Sequence, residues 1–252
     1  MSVKNKNVVV TGGSRGLGLG IVEALAAQGA RVTVVARSVD ALEAVRKRLG
    51  VATMAADVTD EAAAGRILAE TRPDILVLNA GAKPCMGRLD QLSWADFTAT
   101  WDVDVKAGLY WVQAALQLPL SPGSRVLLGS SGAAQNGSPL SGGYAGAKRM
   151  LWFMAKYANT VVKQKGLGIR FQAIVPQQMF GGTGVGDAGA AAYAWANGID
   201  PATFLARNYT PMSPREYGEQ VVTLLTDARD TKSLAIGIRA DTGVSVIEGE
   251  AA

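Results

Sequence analysis

The chain has 252 residues, of which 48% are hydrophobic and 18% are charged, and its net charge at pH 7 is +4. This length and composition predict a folded α/β protein with a sizeable core rather than a disordered chain. The charge is mild and no run of Lys and Arg is dense, so we expect no nucleic-acid partner. The chain has no histidine, which excludes Ser-His-Asp hydrolysis, Cys-His catalysis and His-ligated zinc. No metal site is expected.

Cys85 is the single cysteine, so the chain cannot form an internal disulfide. This fits a reducing compartment, and nothing around Cys85 points to an activated thiol. A strand pattern starts within the first ten residues, which leaves no room for a signal peptide before it. No apolar run is long enough to cross a bilayer. We therefore expect a cytoplasmic protein that does not bind membranes.

Short apolar runs alternate with longer helical patterns along the chain. The runs predict seven strands, at 7–13, 31–37, 52–58, 74–81, 124–131, 169–176 and 233–239. Helical patterns cover 17–29, 39–50, 60–71, roughly 94–117, 143–165 and 214–227. Almost wholly apolar strands separated by helices predict a parallel sheet covered on both faces, in a doubly wound Rossmann-like fold. We expect one domain over 1–252, in which the Gly-, Ala- and Pro-rich segment 181–213 forms a lid over the substrate.

A glycine-rich loop, TGGSRGLG at 11–18, lies between the first strand and the first helix. In this position Gly12 permits a tight turn, Gly16 lets the backbone approach a pyrophosphate, and Gly18 lets the helix pack close to the sheet. The helix N-terminus then faces the anion. A glycine pattern alone also fits a plain tight turn, but its place between strand and helix favours a dinucleotide site.

Arginine follows the second predicted strand, where the residue type indicates which nicotinamide cofactor is bound. An acidic residue there suits the free ribose 2′-hydroxyl of NAD, and arginine suits the 2′-phosphate of NADP. Arg37 occupies this position, and Arg15 in the glycine loop is a second candidate ligand. Both are also compatible with ordinary surface arginines. We expect NADP rather than NAD because a guanidinium offers a planar fork of donors to phosphate.

The segment YAGAK places Tyr144 and Lys148 four residues apart on one helix face. A tyrosine has a pKa of about 10, and a neighbouring ammonium lowers it towards the range useful for proton transfer. Ser131, at the end of a predicted strand, carries a hydroxyl that can hold a substrate oxygen as charge develops there. The alternatives are a tyrosine packed on the sheet, a solvated lysine, and Ser130 in place of Ser131.

Together these motifs resemble the short-chain dehydrogenase/reductase family: TGGSRGLG, DV at 57–58, NAG at 79–81, GSS at 129–131 and YAGAK occur in the family's order. The resemblance implies that Ser131 orients a carbonyl, that Tyr144 is the general acid or base, and that Lys148 supports Tyr144 and binds the nicotinamide ribose. It implies cofactor contacts from Gly12, Ser14, Arg15, Gly16, Leu17, Gly18, Arg37, Ser38, Asp57, Val58, Asn79, Ala80, Gly81, Tyr144, Lys148 and Pro176. Asp57 is also compatible with a purely local capping or loop role.

Three positions depart from the family pattern. Asp104 stands where asparagine is usual, and we include it among the candidate catalytic residues because its charge would favour a charged Lys148. A hydrogen bond from nearby backbone to its side chain is the structural alternative. Gln177 replaces the glycine that usually follows proline, and Thr183 lies later than the threonine that usually holds the carboxamide.

We therefore expect an NADPH-dependent reductase that converts a ketone to a secondary alcohol, reversibly. A 3-oxoacyl-thioester reductase is an alternative within the same family. A regulator that binds NADP without chemistry is an alternative of another class, disfavoured because both Tyr144 and Lys148 are present. The expected partner is a small carbonyl or alcohol substrate, and the expected assembly is a homodimer or homotetramer.

Overall fold

The computed structural model describes residues 2–227 and 233–249, which form an eight-stranded sheet with helices on both faces. The strand order is β3-β2-β1-β4-β5-β6-β7-β8. The strands are β1 (Asn7–Thr11), β2 (Arg31–Ala36), β3 (Ala52–Ala55), β4 (Ile75–Leu78), β5 (Arg125–Gly129), β6 (Arg170–Pro176), β7 (Ala235–Arg239) and β8 (Gly243–Glu248). Neighbouring strands from β3 to β7 pair in parallel, and β8 pairs antiparallel with β7.

The helices are α1 (Gly16–Ala27), α2 (Val39–Leu49), α3 (Glu61–Thr71), α4 (Trp94–Thr98), α5 (Lys106–Gln117), α6 (Ala133–Asn136), α7 (Tyr144–Lys165), α8 (Gly184–Ala196), α9 (Pro201–Asn208) and α10 (Pro214–Thr226). A π-helical turn, Trp101–Val105, leads into α5. Within the described ranges, no helix is long and apolar enough to span a membrane.

Two hydrophobic clusters cover the two faces of the sheet. Residues of α3, α5 and α7 pack on one face, and residues of α1, α2 and α10 pack on the other. All four residues of β4 are buried, so this strand contacts helices on both sides. That burial explains why its sequence is a continuous apolar run without the alternation of a half-exposed strand.

The predicted doubly wound fold is confirmed, with two corrections. The sheet has eight strands rather than the seven predicted, because β8 was missed at the edge, where its residues are largely half-buried. The predicted helical region 94–117 is interrupted and consists of α4, the π-helical turn and α5. The order places β2 on one side of β1 and β4 on the other. After β3 the chain crosses back over β1 to add β4 and the later strands on the other side, so the strand order reverses between β1 and β4. Ligands of such folds bind beyond the carboxyl ends of the strands at this reversal.

Two glycines let α1 and α10 cross in backbone contact. A Cβ atom at Gly20 would lie 1.7 Å from the carbonyl oxygen of Pro214, and one at Gly218 would lie 2.0 Å from the carbonyl oxygen of Gly20. Because both obstacles are backbone atoms, a side chain at either position forces the helices apart. The contact fixes α10 against the helix that begins at the glycine-rich loop.

We predict that Gly218→Ala lowers the free energy of unfolding by about 1–3 kcal/mol or more, as overpacking does. Gly65→Ala on α3 is the matched control, because a Cβ atom at Gly65 meets nothing within 4 Å. Alanine there should raise stability by about 0.4–1 kcal/mol. Urea unfolding followed by tryptophan fluorescence measures both values, and equal effects of the two substitutions would contradict the proposed helix contact.

Candidate active site

A cavity of about 1040 Å³ opens beyond the carboxyl ends of the strands. Its walls come from the glycine-rich loop, the segments that follow β2, β3, β4, β5 and β6, and the first turns of α7 and α8. This is the place where the strand order reverses. Its volume is sufficient for a ligand larger than an ordinary drug-sized molecule.

The glycine-rich loop is held against the segment that follows β4. The Thr11 hydroxyl accepts hydrogen bonds from the backbone N–H groups of Asn79 and Ala80, both at 3.1 Å. A Cβ atom at Gly12, where φ is +67°, would lie 2.7 Å from the Cα atom of Ala80. A Cβ atom at Gly18 would lie 2.4 Å from the amide nitrogen of Asn79. Gly12 and Gly18 therefore permit a backbone approach that a larger residue would prevent.

The N-terminus of α1 faces this cavity without a capping side chain. Its N-cap residue, Arg15, makes no capping hydrogen bond with the described residues, and no acidic residue lies in the first turn. Free backbone N–H groups and the helix dipole make such a terminus a site for an anion. Gly16 and Leu17, which begin the helix, line the cavity.

Two arginines line the same end of the cavity as this helix terminus. Arg15 and Arg37 are exposed, and neither forms an ion pair within the described part of the chain. Asp57 also lines this end and accepts hydrogen bonds from the Thr59 backbone at 2.9 Å and the Thr59 hydroxyl at 2.8 Å. These hydrogen bonds, with a smaller contribution from Arg37, lower the pKa of Asp57. Asp57 thus has the local role that the sequence left open, while it still faces the cavity.

Tyr144 and Lys148 are both buried on the first two turns of α7, and both line the cavity. The Lys148 ammonium nitrogen lies 5.8 Å from the centre of the Tyr144 ring. Trp101 of the π-helical turn donates a hydrogen bond to the Gly143 carbonyl at 2.9 Å, immediately before Tyr144. A Cβ atom at Gly143 would lie 1.9 Å from the Phe97 carbonyl oxygen, so this start of the helix is closely packed.

The two serines after β5 differ in what their hydroxyls contact. Ser130 is buried and donates to the Lys148 backbone carbonyl at 2.8 Å, which ties β5 to α7. Ser131 is half-buried on the cavity wall, and its hydroxyl accepts a long hydrogen bond of 3.3 Å from the Ala133 backbone. The Ser131 hydroxyl is therefore the one with hydrogen-bonding capacity left for a ligand.

Lys148 is fixed by two oxygen atoms. Its ammonium nitrogen lies 2.9 Å from Asp104 Oδ2 and donates to the Gly129 carbonyl at 3.0 Å. The Asp104 side chain is fully buried, and its second oxygen accepts from the Ala82 backbone N–H at 2.7 Å. Burial disfavours the ammonium, but the Asp104 carboxylate outweighs burial and holds the pKa of Lys148 above its usual value.

Almost all of the residues predicted for the site lie on the wall of this one cavity. The exceptions are Gly18, which packs behind the wall against Asn79, and Asp104, which lies behind Lys148. The sequence did not single out the Ala82 backbone, Thr11 or Trp101, because their contribution is a hydrogen bond between distant segments. It also missed Tyr217, a buried tyrosine of α10 that lines the cavity.

Comparison with known proteins identifies the family. A family model for short chain dehydrogenases matches residues 6–186. The chain belongs to the short-chain dehydrogenase family. This is an oxidoreductase family that uses a nicotinamide cofactor.

Individual relatives agree with this assignment. The short chain dehydrogenase/reductase AacuD of Aspergillus aculeatus is 38% identical over 152 residues, which cover 57% of this chain and 54% of AacuD. The 3-dehydrosphinganine reductase TSC10A of Arabidopsis thaliana is 35% identical over 121 residues, covering 45% of this chain and 37% of that protein. The chain thus spans about half or less of these two relatives. A solved short chain dehydrogenase from Burkholderia cenocepacia J2315 in complex with NADP covers 94% of this chain and 96% of its own, with 26% identity and a TM-score of 0.74.

Thr183, Gln177 and Cys85 lie outside the predicted set of site residues of this short-chain dehydrogenase, and each has contacts within the protein. The Thr183 hydroxyl caps α8, because it accepts from the Gly186 backbone at 3.1 Å and donates to the Phe180 carbonyl at 2.7 Å. The Gln177 amide donates to the Gln135 side chain at 3.0 Å, which joins the end of β6 to α6. Burial and the neighbouring Asp96 raise the pKa of Cys85, so this thiol is not activated.

We predict that Lys148→Met lowers the free energy of unfolding by about 3–5 kcal/mol, because it leaves the Asp104 carboxylate buried without its counter-charge. The double variant Asp104→Asn with Lys148→Met should regain part of that loss, because it also removes the buried charge. Denaturant unfolding of the three proteins measures the effect. Lys156→Met, at an exposed position of the same helix, is the control. A loss no larger than that of the control would show that the pair is not a buried ion pair.

Proposed function

We propose that the protein is an NADPH-dependent reductase that converts a ketone to a secondary alcohol and also runs in reverse. The observation that carries this proposal is that Ser131, Tyr144 and Lys148 line the same cavity as the glycine-rich loop and Arg37. A binding protein without chemistry does not need a tyrosine and a lysine buried together at the end of the cofactor cavity. The homodimer or homotetramer and the cytoplasmic location expected from the sequence stay predictions.

The cavity residues fit a nicotinamide dinucleotide that carries a 2′-phosphate. The uncapped N-terminus of α1 would hold the pyrophosphate, and the two exposed guanidiniums of Arg15 and Arg37 suit the 2′-phosphate. Asp57 and Val58 would contact the adenine, and the backbone at 79–81 would border the rest of the cofactor. When bound, the cofactor supplies the hydride for the reduction.

Ser131 and Tyr144 would act on the carbonyl oxygen of the substrate. The Ser131 hydroxyl donates a hydrogen bond that stabilises the negative charge developing on this oxygen. The Tyr144 hydroxyl donates its proton to the same oxygen, which becomes the hydroxyl group of the alcohol. In the oxidative direction Tyr144 accepts that proton.

Lys148 would support the phenolate that Tyr144 becomes after proton donation. Its ammonium is held in place by Asp104 and Gly129, and the attraction between ammonium and phenolate acts across a buried region where charges interact strongly. One N–H donates to the Gly129 carbonyl and the ammonium lies 2.9 Å from Asp104 Oδ2, which leaves donor capacity for the ribose of the cofactor. This division follows from the three donors of a lysine ammonium.

The segment 181–213 would form the lid over the substrate, and most of it is helical, in α8 and α9. Tyr193 of α8 stacks on Phe204 of α9 with the ring centres 5.9 Å apart. The Tyr193 hydroxyl also hydrogen-bonds with Ser138, in the loop that leads to α7. Aromatic rings and Met179 line this side of the cavity, which suits a substrate with an apolar body around its ketone.

A panel of ketones assayed with NADPH, and then with NADH, tests the proposed function through nicotinamide absorbance. The panel needs aliphatic, cyclic and aryl ketones and a 3-oxoacyl thioester. Turnover of ketones with NADPH is the expected result. Turnover confined to the thioester would favour the alternative reductase, and binding of NADPH without turnover of any member would favour a regulator.

We predict that Tyr144→Phe lowers kcat for the best ketone by about 100-fold or more, since it removes the proton donor. The affinity for NADPH, measured by fluorescence titration, should change little. Tyr157→Phe is the matched control, because Tyr157 lies on the same helix but is largely exposed. Turnover of Tyr144→Phe within threefold of the wild type would rule out Tyr144 as the proton donor.

We predict that Arg37→Asp raises the Kd for NADPH by about 10- to 100-fold, because a donor of charge-assisted hydrogen bonds to the 2′-phosphate is replaced by a repelling carboxylate. The Kd for NADH should change far less. Arg66→Asp changes the net charge equally from an exposed position on α3 that is not on the cavity wall. An equal loss for both cofactors would exclude Arg37 as the phosphate ligand.

A further inference from the structure

Asp104 connects two segments of the site through its two carboxylate oxygens. Oδ1 accepts from the Ala82 N–H at 2.7 Å, and Oδ2 lies 2.9 Å from the Lys148 ammonium. Oδ2 is buried and has no hydrogen-bond partner in the described part of the chain, so its contact with Lys148 is an ion pair. The backbone after NAG and the lysine of α7 are thus joined by one side chain of the π-helical turn.

The chemistry of this bridge requires a carboxylate. An asparagine at this position would place its NH₂ group where one of the two carboxylate oxygens lies, so a donor would face either the Ala82 N–H or the Lys148 ammonium. The space also fits the bridge, because a Cβ atom at Gly81 would lie 2.9 Å from Oδ2 and 3.1 Å from Oδ1. Gly81 therefore leaves room for the Asp104 carboxylate beside the cofactor segment.

The bridge also changes the charge that Tyr144 faces. An isolated ammonium would favour the Tyr144 phenolate by attraction, whereas an adjacent carboxylate repels the phenolate and offsets part of that attraction. Both charges of the pair are buried, so solvent screens them weakly. The Asp104–Lys148 pair is close to neutral overall, and the phenolate forms less readily than beside a lone ammonium.

Other ionisable groups around Tyr144 differ from Asp104 in exposure or charge. Tyr217 of α10 is buried, and burial raises its pKa, so it stays neutral across the useful pH range. Asp102 and Lys106 flank Asp104 in sequence but are exposed, as is Lys83 on the loop after β4. Arg149 follows Lys148, and its guanidinium lies 4.3 Å from the centre of the Trp152 ring. Among the described residues, Asp104 is the buried anion paired with the catalytic lysine.

We propose that Asp104 is a positioning residue that fixes the Lys148 ammonium and, by neutralising part of its charge, moves the working range of Tyr144 to higher pH. The catalytic consequence rests on the proposed function, since it assumes that Tyr144 transfers the proton. The electrostatic part does not, because the Tyr144 phenolate forms in the protein without cofactor or substrate. In the oxidative direction, where Tyr144 is the base, activity then begins at a higher pH than it would without the Asp104 carboxylate.

The first test is a spectroscopic titration of the protein alone. The ultraviolet phenolate signal of Tyr144 is the difference between wild type and Tyr144→Phe, and the same difference is taken in the Asp104→Asn background. We expect the midpoint of this signal to fall by about one pH unit on removal of the carboxylate, the order expected for a unit charge at an effective dielectric of about 20. An unchanged midpoint, or one that rises because Lys148 loses its proton instead, overturns the proposal.

The second test is the pH dependence of kcat/KM for alcohol oxidation in the same proteins. Its rising limb should move to lower pH by the same amount as the spectroscopic midpoint, whereas a purely structural role would lower activity at every pH without moving the limb. Glu61→Gln is the matched control, because it removes an exposed carboxylate on α3 that is not on the cavity wall and should leave both curves in place. If Asp104→Asn folds poorly, both measurements are repeated with Asp104→Ser, which also removes the charge.

The two tests separate the two proposals. If no alcohol is oxidised at any pH, the proposed function fails. The titration still decides whether the Asp104 carboxylate offsets the effect of the Lys148 ammonium on Tyr144. If alcohols are oxidised but neither the midpoint nor the limb moves in Asp104→Asn and Asp104→Ser, the proposed function stands and the role of Asp104 is overturned.

Discussion

The buried contact between Asp104 and Lys148 is the interaction on which the geometry of the site depends. It joins the π-helical turn to α7, and through Ala82 and Gly129 it reaches the segment after β4 and the end of β5. Four parts of the chain that are distant in sequence are thereby held by two side chains. Burial of two charges is costly, and the cost is offset here by the attraction between them and by the hydrogen bonds that Asp104 Oδ1 accepts from Ala82 and that Lys148 donates to Gly129. With these partners the two side chains have one defined arrangement.

The fold was largely predictable because the central strands are buried on both faces. A strand such as β4, whose four residues are all buried, leaves a continuous apolar run that is hard to misread. β8 was missed because an antiparallel edge strand with half-exposed residues carries no such run. The break between α4 and α5 was missed for another reason. The π-helical turn is set by Trp101 bonding to Gly143 and Asp104 bonding to Ala82, which are tertiary contacts that local pattern does not encode.

The candidate site was predictable where residues work through local spacing. Tyr144 and Lys148 share a face because they are one helical turn apart, and the glycine-rich loop lies between a strand and a helix that periodicity identifies. The separate tasks of Ser130 and Ser131 needed the structure, because the Ser130 hydroxyl is occupied by a backbone carbonyl of α7. The same holds for Asp104. The sequence showed an unusual charge near the site, but the two donors that share its oxygens come from remote segments.

The two walls of the cavity are held together by different kinds of contact. The wall proposed to hold the cofactor consists of strand ends and backbone held by Thr11 and by closely packed glycines. The wall proposed to hold the substrate consists of α8, α9 and the loop before α7, joined by the hydrogen bond between Tyr193 and Ser138 and by stacked rings. Side-chain contacts of this kind can be exchanged without disturbing the sheet, because the helices involved form a small cluster of their own. On the proposed function, the residues that carry the reaction therefore belong to the core of the fold, while the shape of an accepted ketone depends on a segment that packs outside it.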